Sequence, residues 1–108
     1  MHTKRKGYRV ERKIRIFLQK FGWTVIRAGA SLGEADLICL KNKKCVLLQI
    51  KSTNKKVFYY YGYSRPTFEG FPFFLVVDFG YNKIRIQPPK DKINVFDGQT
   101  LEEFLRNY

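Results

Sequence analysis

Acidic residues, cysteines and long hydrophobic runs are all scarce in this sequence of 108 residues. The longest apolar run, residues 73–77, is far shorter than the roughly 20 residues that cross a bilayer, so we expect no transmembrane segment and no membrane partner. The two cysteines, Cys39 and Cys45, lack the spacing of metal ligands. We therefore expect no zinc site and interpret the cysteines as reduced packing residues of an intracellular protein.

The shortage of acids leaves a large positive charge. The chain has 9 Asp and Glu against 21 Lys and Arg, which gives a formal net charge of +12. Such an excess repels itself unless a polyanion binds, and no strongly amphipathic, Trp-rich helix is present to favour a lipid surface. We therefore expect a nucleic-acid partner. Since 44% of the residues are hydrophobic, the chain can bury a core, and its length predicts a single domain over residues 1–108.

A helix is predicted over residues 4–21, where apolar side chains recur at helical spacing. These side chains are Val10, Ile14, Phe17, Leu18 and Phe21. The opposite face collects the positive charges of Arg5, Arg9, Arg12, Lys13 and Lys20. One face of the helix should therefore pack on the core, and the other should form a cationic ridge.

Strand patterns dominate the rest of the chain. The predicted strands cover residues 23–27, 35–40, 45–50, 73–79 and 83–87. The second and third form a hairpin around the polar turn 41–44, and residues 100–103 have the capping-box form that begins a short helix at 101. The aromatic stretch 57–63 suits a strand end, an irregular helix or a partner surface. The fold class is α/β, a central mixed sheet of about five strands flanked by helices.

The hairpin brings polar side chains together if its turn is centred on the middle of residues 41–44. Asp36 then lies opposite Gln49. Lys51 emerges on the same face, opposite Glu34 and within about 7–8 Å of Asp36. A hard divalent cation would satisfy such a polar patch, and so would a salt bridge of Lys51 with either acid. An odd-length turn would separate these side chains unless a bulge restored the phase.

Glu11 is the only acid among the first 33 residues. On the predicted helix it falls at the border of the apolar stripe, so it can reach along the sheet surface as a third oxygen donor. The alternative is an ion pair with Arg15 one turn later, which would contribute only about 0.3–0.5 kcal/mol.

Three segments taken together resemble a known nuclease superfamily. They are Lys6-Gly7-x-x-x-Glu11, then Gly33-Glu34-Ala35-Asp36, then Gln49-Ile50-Lys51, with a step of thirteen positions from Asp36 to Gln49. The pattern resembles the PD-(D/E)XK nucleases, and within them the archaeal Holliday junction resolvases of the Hjc type, including short versions carried by archaeal viruses. The loop Arg27-x-Gly29-x-Ser31 is similar as well.

The resemblance implies a restriction-endonuclease-like fold and hydrolysis of DNA phosphodiesters, in which water attacks phosphorus and the 3′-oxygen leaves. The residues that it implies in catalysis are Glu11, Ser31, Asp36, Gln49 and Lys51. In relatives, the positions that match Glu11, Asp36 and Gln49 hold Mg²⁺ or Mn²⁺. The lysine that matches Lys51 orients or activates water or stabilises charge, and Ser31 matches a loop position near the scissile strand.

Two positions depart from the pattern of the family. Ala35 replaces the proline of the motif name, which is a weak consensus. Gln49 stands where a second acid is usual, so the site loses a negative charge and should bind metal more weakly, although Glu34 is placed to compensate. We expect a metal-dependent, structure-selective DNA endonuclease that resolves four-way junctions by paired cleavage. The alternative is a junction- or nucleic-acid-binding protein with weak or no cleavage.

DNA contacts are expected from the positive side chains of Arg5, Lys6, Arg9, Arg12, Lys13, Arg27, Lys55 and Lys56. Phosphate binding by such residues predicts steep salt dependence and recognition of branch shape. Basicity and size alone would also suit a non-enzymatic RNA-binding or ribosome-associated protein.

The aromatic run 58–63 has three interpretations: core packing, a dimer interface and base stacking. The resemblance implies a homodimer, because paired nicks need two active sites. It implies a cytoplasmic protein, in the host cytoplasm if the source is viral.

Overall fold

One long helix and a mixed sheet form the framework of the protein. The computed structural model describes residues 3–28 and 34–108, and the side chains of residues 7–28 and 34–108. Helix α1 spans Thr3–Lys20 and helix α2 spans Leu101–Arg106, close to the predicted bounds. Neither of these described helices is long and apolar enough to cross a membrane. The predicted loop over residues 29–33 lies outside the described residues.

The strands follow one another along the chain between the two helices. They are β1 (Thr24–Arg27), β2 (Leu37–Lys41), β3 (Lys44–Ser52), β4 (Val57–Tyr59), β5 (Thr67–Phe68), β6 (Phe71–Asp78), β7 (Ile84–Gln87), β8 (Lys92–Asn94) and β9 (Gln99–Thr100). The main sheet has the order β1-β2-β3-β6-β7-β9, and β5 pairs with β6 beside it. Because β3 and β6 are parallel and the other pairs are antiparallel, the predicted α/β class with a mixed sheet is confirmed.

The predicted count of about five strands in the central sheet was somewhat low, because this sheet has seven strands among the described residues, and β4 and β8 form a separate pair. The five expected strands are present as β1, β2, β3, β6 and β7. The four additional strands are only two or three residues long. Such short segments cannot show the alternation of apolar and polar side chains that predicts a strand. They become strands because distant parts of the chain supply their hydrogen-bond partners.

The hairpin of β2 and β3 has the predicted register. Its turn residues Asn42 and Lys43 both have positive φ, 50° and 68°, as a two-residue type I′ turn requires. Leu37 therefore pairs with Leu48, and all the pairs of β2 with β3 are symmetric about the turn between Asn42 and Lys43. This register decides which side chains meet at the base of the hairpin.

The core lies on both faces of the sheet. On one face α1 buries Val10, Ile14 and Leu18, and α2 adds Phe104 and Leu105. Alternate residues of β6 point to the other face, where Leu75 and Val77 pack with Tyr60 and Ile93 beneath the two-stranded β4–β8 sheet. The chain thus covers both faces of its central strands.

Both cysteines are free, as the sequence predicts. Cys39 is buried, and burial raises the pKa of its thiol to about 12, so this group stays protonated and packs as an apolar side chain. The capping box of α2 is also confirmed: the Thr100 hydroxyl accepts the Glu103 backbone N–H, and the Glu103 carboxylate accepts the Thr100 N–H.

Candidate active site

Asp36 lies at the base of the hairpin, directly before β2. Its backbone N–H donates to the Leu48 carbonyl at 2.7 Å, and its carbonyl accepts from the Ala28 N–H at 2.9 Å. Its carboxylate Oδ2 accepts the Ile50 backbone N–H at 2.8 Å. Asp36 is therefore held against Leu48 and Ile50 of β3, on either side of Gln49, and both its backbone and its side chain are fixed.

The environment of Asp36 is unfavourable to its own negative charge. Burial raises the pKa of the Asp36 carboxyl most strongly, and the nearby charges of Glu11 and Glu34 raise it further. The Ile50 N–H and the charge of Lys51 lower the pKa, but they do not cancel the increase. The site therefore concentrates acids from α1 and from the hairpin in a partly desolvated place, which a cation would relieve.

Glu11 occupies the border of the buried helix stripe, as expected. Its ion pair is with Arg27 of β1, whose Nε lies 2.5 Å from Glu11 Oε1, instead of with Arg15. The Arg27 guanidinium also lies over the Tyr8 ring, 5.4 Å from its centroid. Arg27 was expected to contact DNA, and the structure shows that its Nε is already engaged by Glu11.

Gln49 is the neutral member of the site. It is 8% exposed, and its side-chain oxygen Oε1 is buried without a hydrogen-bond partner. An unsatisfied buried acceptor costs about 1–3 kcal/mol, so such atoms are rare and call for a physical explanation. An oxygen with free lone pairs is what a cation or a hydrogen-bond donor would bind.

Lys51 shares the sheet face of Gln49, two residues further along β3. Its side chain is exposed, and no ion pair joins it to Glu34 or Asp36 within the described part of the chain. The salt bridge considered as the alternative to a cation site is therefore not formed. Gln49 and Lys51 instead line a pocket of about 410 Å³ together with Glu34 and the aromatic residues 58–61.

Tyr60 is the member of this pocket that the sequence did not reveal. It is 3% exposed, and its hydroxyl is buried without a hydrogen-bond partner. Burial raises the pKa of the Tyr60 hydroxyl, followed by the charges of Glu34 and Asp36. The Tyr63 backbone N–H is close enough to oppose that increase, but it lacks the geometry of a hydrogen bond. The hydroxyl thus lies near the acids of the site.

The aromatic run around Tyr60 divides between core and surface. Tyr63 packs edge-on against Phe73 with ring centroids 5.1 Å apart, which fits the core interpretation. Tyr59 and Tyr61 point outward and are 56% and 91% exposed. No sequence signal distinguishes these tyrosines, because all of them sit in one unbroken aromatic stretch.

The oxygen donors of the site suit a hard divalent cation. Glu11 and Asp36 offer carboxylates, and Gln49 offers a carboxamide oxygen that has no other partner. Among the residues that the structure describes, no group of three or more His, Cys, Asp or Glu side chains forms a metal cluster, so the donor set here depends on the glutamine. These residues fit Mg²⁺ or Mn²⁺ and do not suit zinc.

The positive residues expected to bind DNA lie around α1 and after β3. Arg9 and Arg12 are exposed, while Lys13 Nζ lies 3.3 Å from the Asp78 carboxylate. Lys55 and Lys56 are exposed between β3 and β4. Ser31 lies outside the described residues, as do the side chains of Arg5 and Lys6.

A larger groove of about 880 Å³ runs along the exposed side of α1. Arg9, Arg12 and Lys13 line it, and so do Lys83 and Arg85 from the β7 region, which sequence reasoning did not place there. The alternation of residues 83–87 predicts a strand, but it does not tell which helix lies beside that strand. The cationic ridge is therefore wider than α1 alone.

Comparison with known proteins points to one family. The model of the archaeal Holliday junction resolvase (Hjc) family matches residues 2–108. Among solved structures, 17 chains match, and one is Hjc, a Holliday junction resolvase from the archaeal hyperthermophile Archaeoglobus fulgidus. That structure has 18% sequence identity and a TM-score of 0.71, with coverage of 95% of this chain and 98% of the other. Comparison with curated proteins gives no match. Since the family model spans nearly every residue, the chain belongs to the archaeal Holliday junction resolvase family, which implies an endonuclease.

Proposed function

We propose that the protein is a Mg²⁺- or Mn²⁺-dependent endodeoxyribonuclease that resolves four-way DNA junctions by paired cleavage. The observation that carries the proposal is the Asp36 carboxylate, which lies near the charge of Glu11 and accepts the Ile50 N–H, next in sequence to Gln49 and its unpartnered oxygen. The family to which the chain belongs supports the choice of substrate.

Each residue of the site has a separate chemical task in this proposal. Glu11, Asp36 and Gln49 would hold the divalent cation through their oxygens. When bound, such an ion neutralises charge on the phosphate and makes water a better nucleophile. Lys51 places an ammonium group beside these oxygens, where it attracts the scissile phosphate and stabilises negative charge on its oxygens. Ser31 is proposed to contact the scissile strand.

Binding of the junction would depend on phosphate contacts around the site. Arg9 and Arg12 on α1 and Lys55 and Lys56 after β3 are exposed, in a chain with a net charge of +12. Residues of this type fix orientation without reading bases, which suits recognition of a branched shape. The affinity should therefore fall steeply as salt concentration rises.

A homodimer is part of the proposal, because two symmetric nicks require two sites. The outward-facing Tyr59 and Tyr61 supply aromatic area of the kind found at interfaces. We treat residues 1–108 as one nuclease domain that acts on DNA inside the cell.

A second candidate is a junction-binding protein with weak or no cleavage. Two observations favour it: Gln49 supplies no negative charge, and Glu11 is paired with Arg27. Each would lower the affinity of the site for a divalent cation.

Cleavage assays decide between the two candidates. The protein is incubated with a labelled four-way junction, a duplex and a single strand, in Mg²⁺, in Mn²⁺ or in EDTA. We expect paired nicks in the junction alone, and only with metal. Glu11→Gln should remove cleavage while retaining junction binding, because it keeps the shape of the side chain and removes a ligand charge.

The matched control is Glu69→Gln. Glu69 is exposed between β5 and β6 and takes part in no ion pair of the described residues, so its loss should leave cleavage unchanged. Junction binding without cleavage in any metal would select the second candidate. Cleavage that persists in EDTA would refute the metal dependence.

A further inference from the structure

Two residues that line the same pocket each have a buried polar atom without a hydrogen-bond partner. Gln49 and Tyr60 both line it, and their residues are 8% and 3% exposed. Gln49 Oε1 is an acceptor without a donor, and the Tyr60 hydroxyl is a donor without an acceptor. The two groups are chemically complementary, so a single contact between them would satisfy both.

A glutamine that serves as a cation ligand has a problem that a glutamate does not have. The two oxygens of a carboxylate are equivalent, and either one binds the ion. A carboxamide has one oxygen and one NH₂ group of similar shape, and rotation by half a turn would present hydrogens to the cation. Gln49 therefore needs a neighbour that distinguishes its oxygen from its nitrogen.

We propose that Tyr60 is a positioning residue whose hydroxyl, which has no acceptor in this structure, donates a hydrogen bond to Gln49 Oε1 when the cation binds and keeps this oxygen directed to the ion. The inference rests on the function proposed above. A carboxamide oxygen has two lone pairs, so it accepts from Tyr60 while the other lone pair remains available for the ion. Partners of this kind commonly orient metal ligands and tune metal affinity.

The fold holds the Tyr60 ring firmly enough for this role. The ring belongs to a buried cluster with Leu75, Val77 and Ile93. Gly62 leaves room for the hydroxyl, because a Cβ at this position would lie 2.6 Å from the hydroxyl oxygen. Burial raises the pKa of the hydroxyl, and the nearby charges of Glu34 and Asp36 raise it further, which keeps the hydroxyl protonated and able to donate.

A double-mutant cycle tests the inference. Tyr60→Phe is made in the parent and in the Gln49→Glu background, and Mn²⁺ affinity is measured by electron paramagnetic resonance without DNA. In the parent, we expect Tyr60→Phe to weaken Mn²⁺ binding by about 10-fold, as for other outer ligands. In the Gln49→Glu background the loss of Mn²⁺ affinity should be less than about 2-fold, because either oxygen of a carboxylate can bind the ion.

The matched control is Tyr63→Phe, which removes a hydroxyl that donates to the Thr67 carbonyl at 2.6 Å. This variant should bind Mn²⁺ like the parent. In Mg²⁺-loaded protein, the side-chain NH₂ signals of Gln49 in a ¹⁵N correlation spectrum should shift in Tyr60→Phe and stay in place in Tyr63→Phe.

Unchanged Mn²⁺ affinity in Tyr60→Phe would overturn the inference, and so would an equal loss in both backgrounds, because a packing role does not depend on residue 49. The outcome is separable from the proposed function. If the parent cleaves junctions and Tyr60→Phe binds Mn²⁺ normally, only the inference fails. If the parent and its variants follow the expected Mn²⁺ pattern but no junction is cut, only the nuclease proposal fails.

Discussion

Two aspartates on either side of β3 show how differently one sheet treats a buried acid. Asp36 lies directly before β2 and donates its backbone N–H to Leu48 of β3, and Asp78 ends β6 beside Ser52. Asp78 Oδ2 lies 3.3 Å from Lys13 Nζ, and its Oδ1 accepts the Gly80 N–H at 2.7 Å. Asp36 accepts one backbone N–H, and two acids, Glu11 and Glu34, outweigh the one lysine near it, Lys51.

The comparison shows that burial alone does not identify a catalytic acid. The charge of Asp78 is balanced inside the fold by a lysine and a turn, so this residue stabilises the structure. The charge of Asp36 is desolvated and crowded by like charges, which is costly unless a positive group arrives from outside. The sign of the nearest charges therefore separates a structural acid from a candidate ligand.

The largest expected difference between the two aspartates is in cleavage. Asp36→Asn should lower metal-dependent junction cleavage by at least about 10²-fold, because it removes charge where transition-state stabilisation depends on it. Asp78→Asn should stay within about 3-fold of the parent, since it removes no proposed ligand. Single-turnover rates on a four-way junction measure both. Equal losses in the two variants would contradict the distinction.

The second difference is in the free energy of unfolding, which Asp78→Asn should lower more than Asp36→Asn. Asp78→Asn should lower this free energy by about 1 kcal/mol, because Lys13 loses its partner although its half-exposed side chain can still be hydrated. Asp36→Asn should leave it unchanged or raise it, because a desolvated charge is removed while an acceptor for the Ile50 N–H remains. Urea titrations in EDTA give both values, and a loss in Asp36→Asn larger than that in Asp78→Asn would refute the assignment.

The smallest expected effect is the pH dependence of stability. Because the folded protein raises the pKa of Asp36 above its ordinary 3.8, the contribution of this group is favourable below that value and is lost as pH rises through the folded pKa. The Tm of Asp36→Asn minus that of the parent, measured in EDTA, should therefore increase with pH over this range. Asp97 and Glu103 have lowered pKa values and act in the opposite direction, but they are common to both proteins and cancel in the difference. A difference that is flat or decreases with pH would contradict the desolvation of Asp36.

The hairpin shows how far sequence reasoning reaches in this protein. An even turn at residues 41–44 implied the register of β2 and β3, which the pairing of Leu37 with Leu48 confirms, and Asp36 follows directly before that pair. The prediction succeeded because the period of a strand and the length of its turn are local properties. The catalytic roles of these residues and of Ser31 stay predictions until they are measured.

The aromatic segment shows where sequence reasoning ends. Residues 57–63 gave no preference for strand, helix or surface, and they contain both β4 and the buried Tyr60. The partner of β4 is β8, about 35 residues later, and such a partner leaves no mark on the local pattern. The undercount of strands has the same cause.

By itself, the sequence determined the helix stripe, the hairpin register, the capping box and the positive charge of this protein, because each depends on residues close together in the chain or on composition. Only the tertiary structure decided that Glu11 pairs with Arg27, that Tyr60 turns inward beside Gln49 and that Lys83 and Arg85 extend the cationic groove. These contacts join segments far apart in sequence, and the packing of the whole core selects which segments meet.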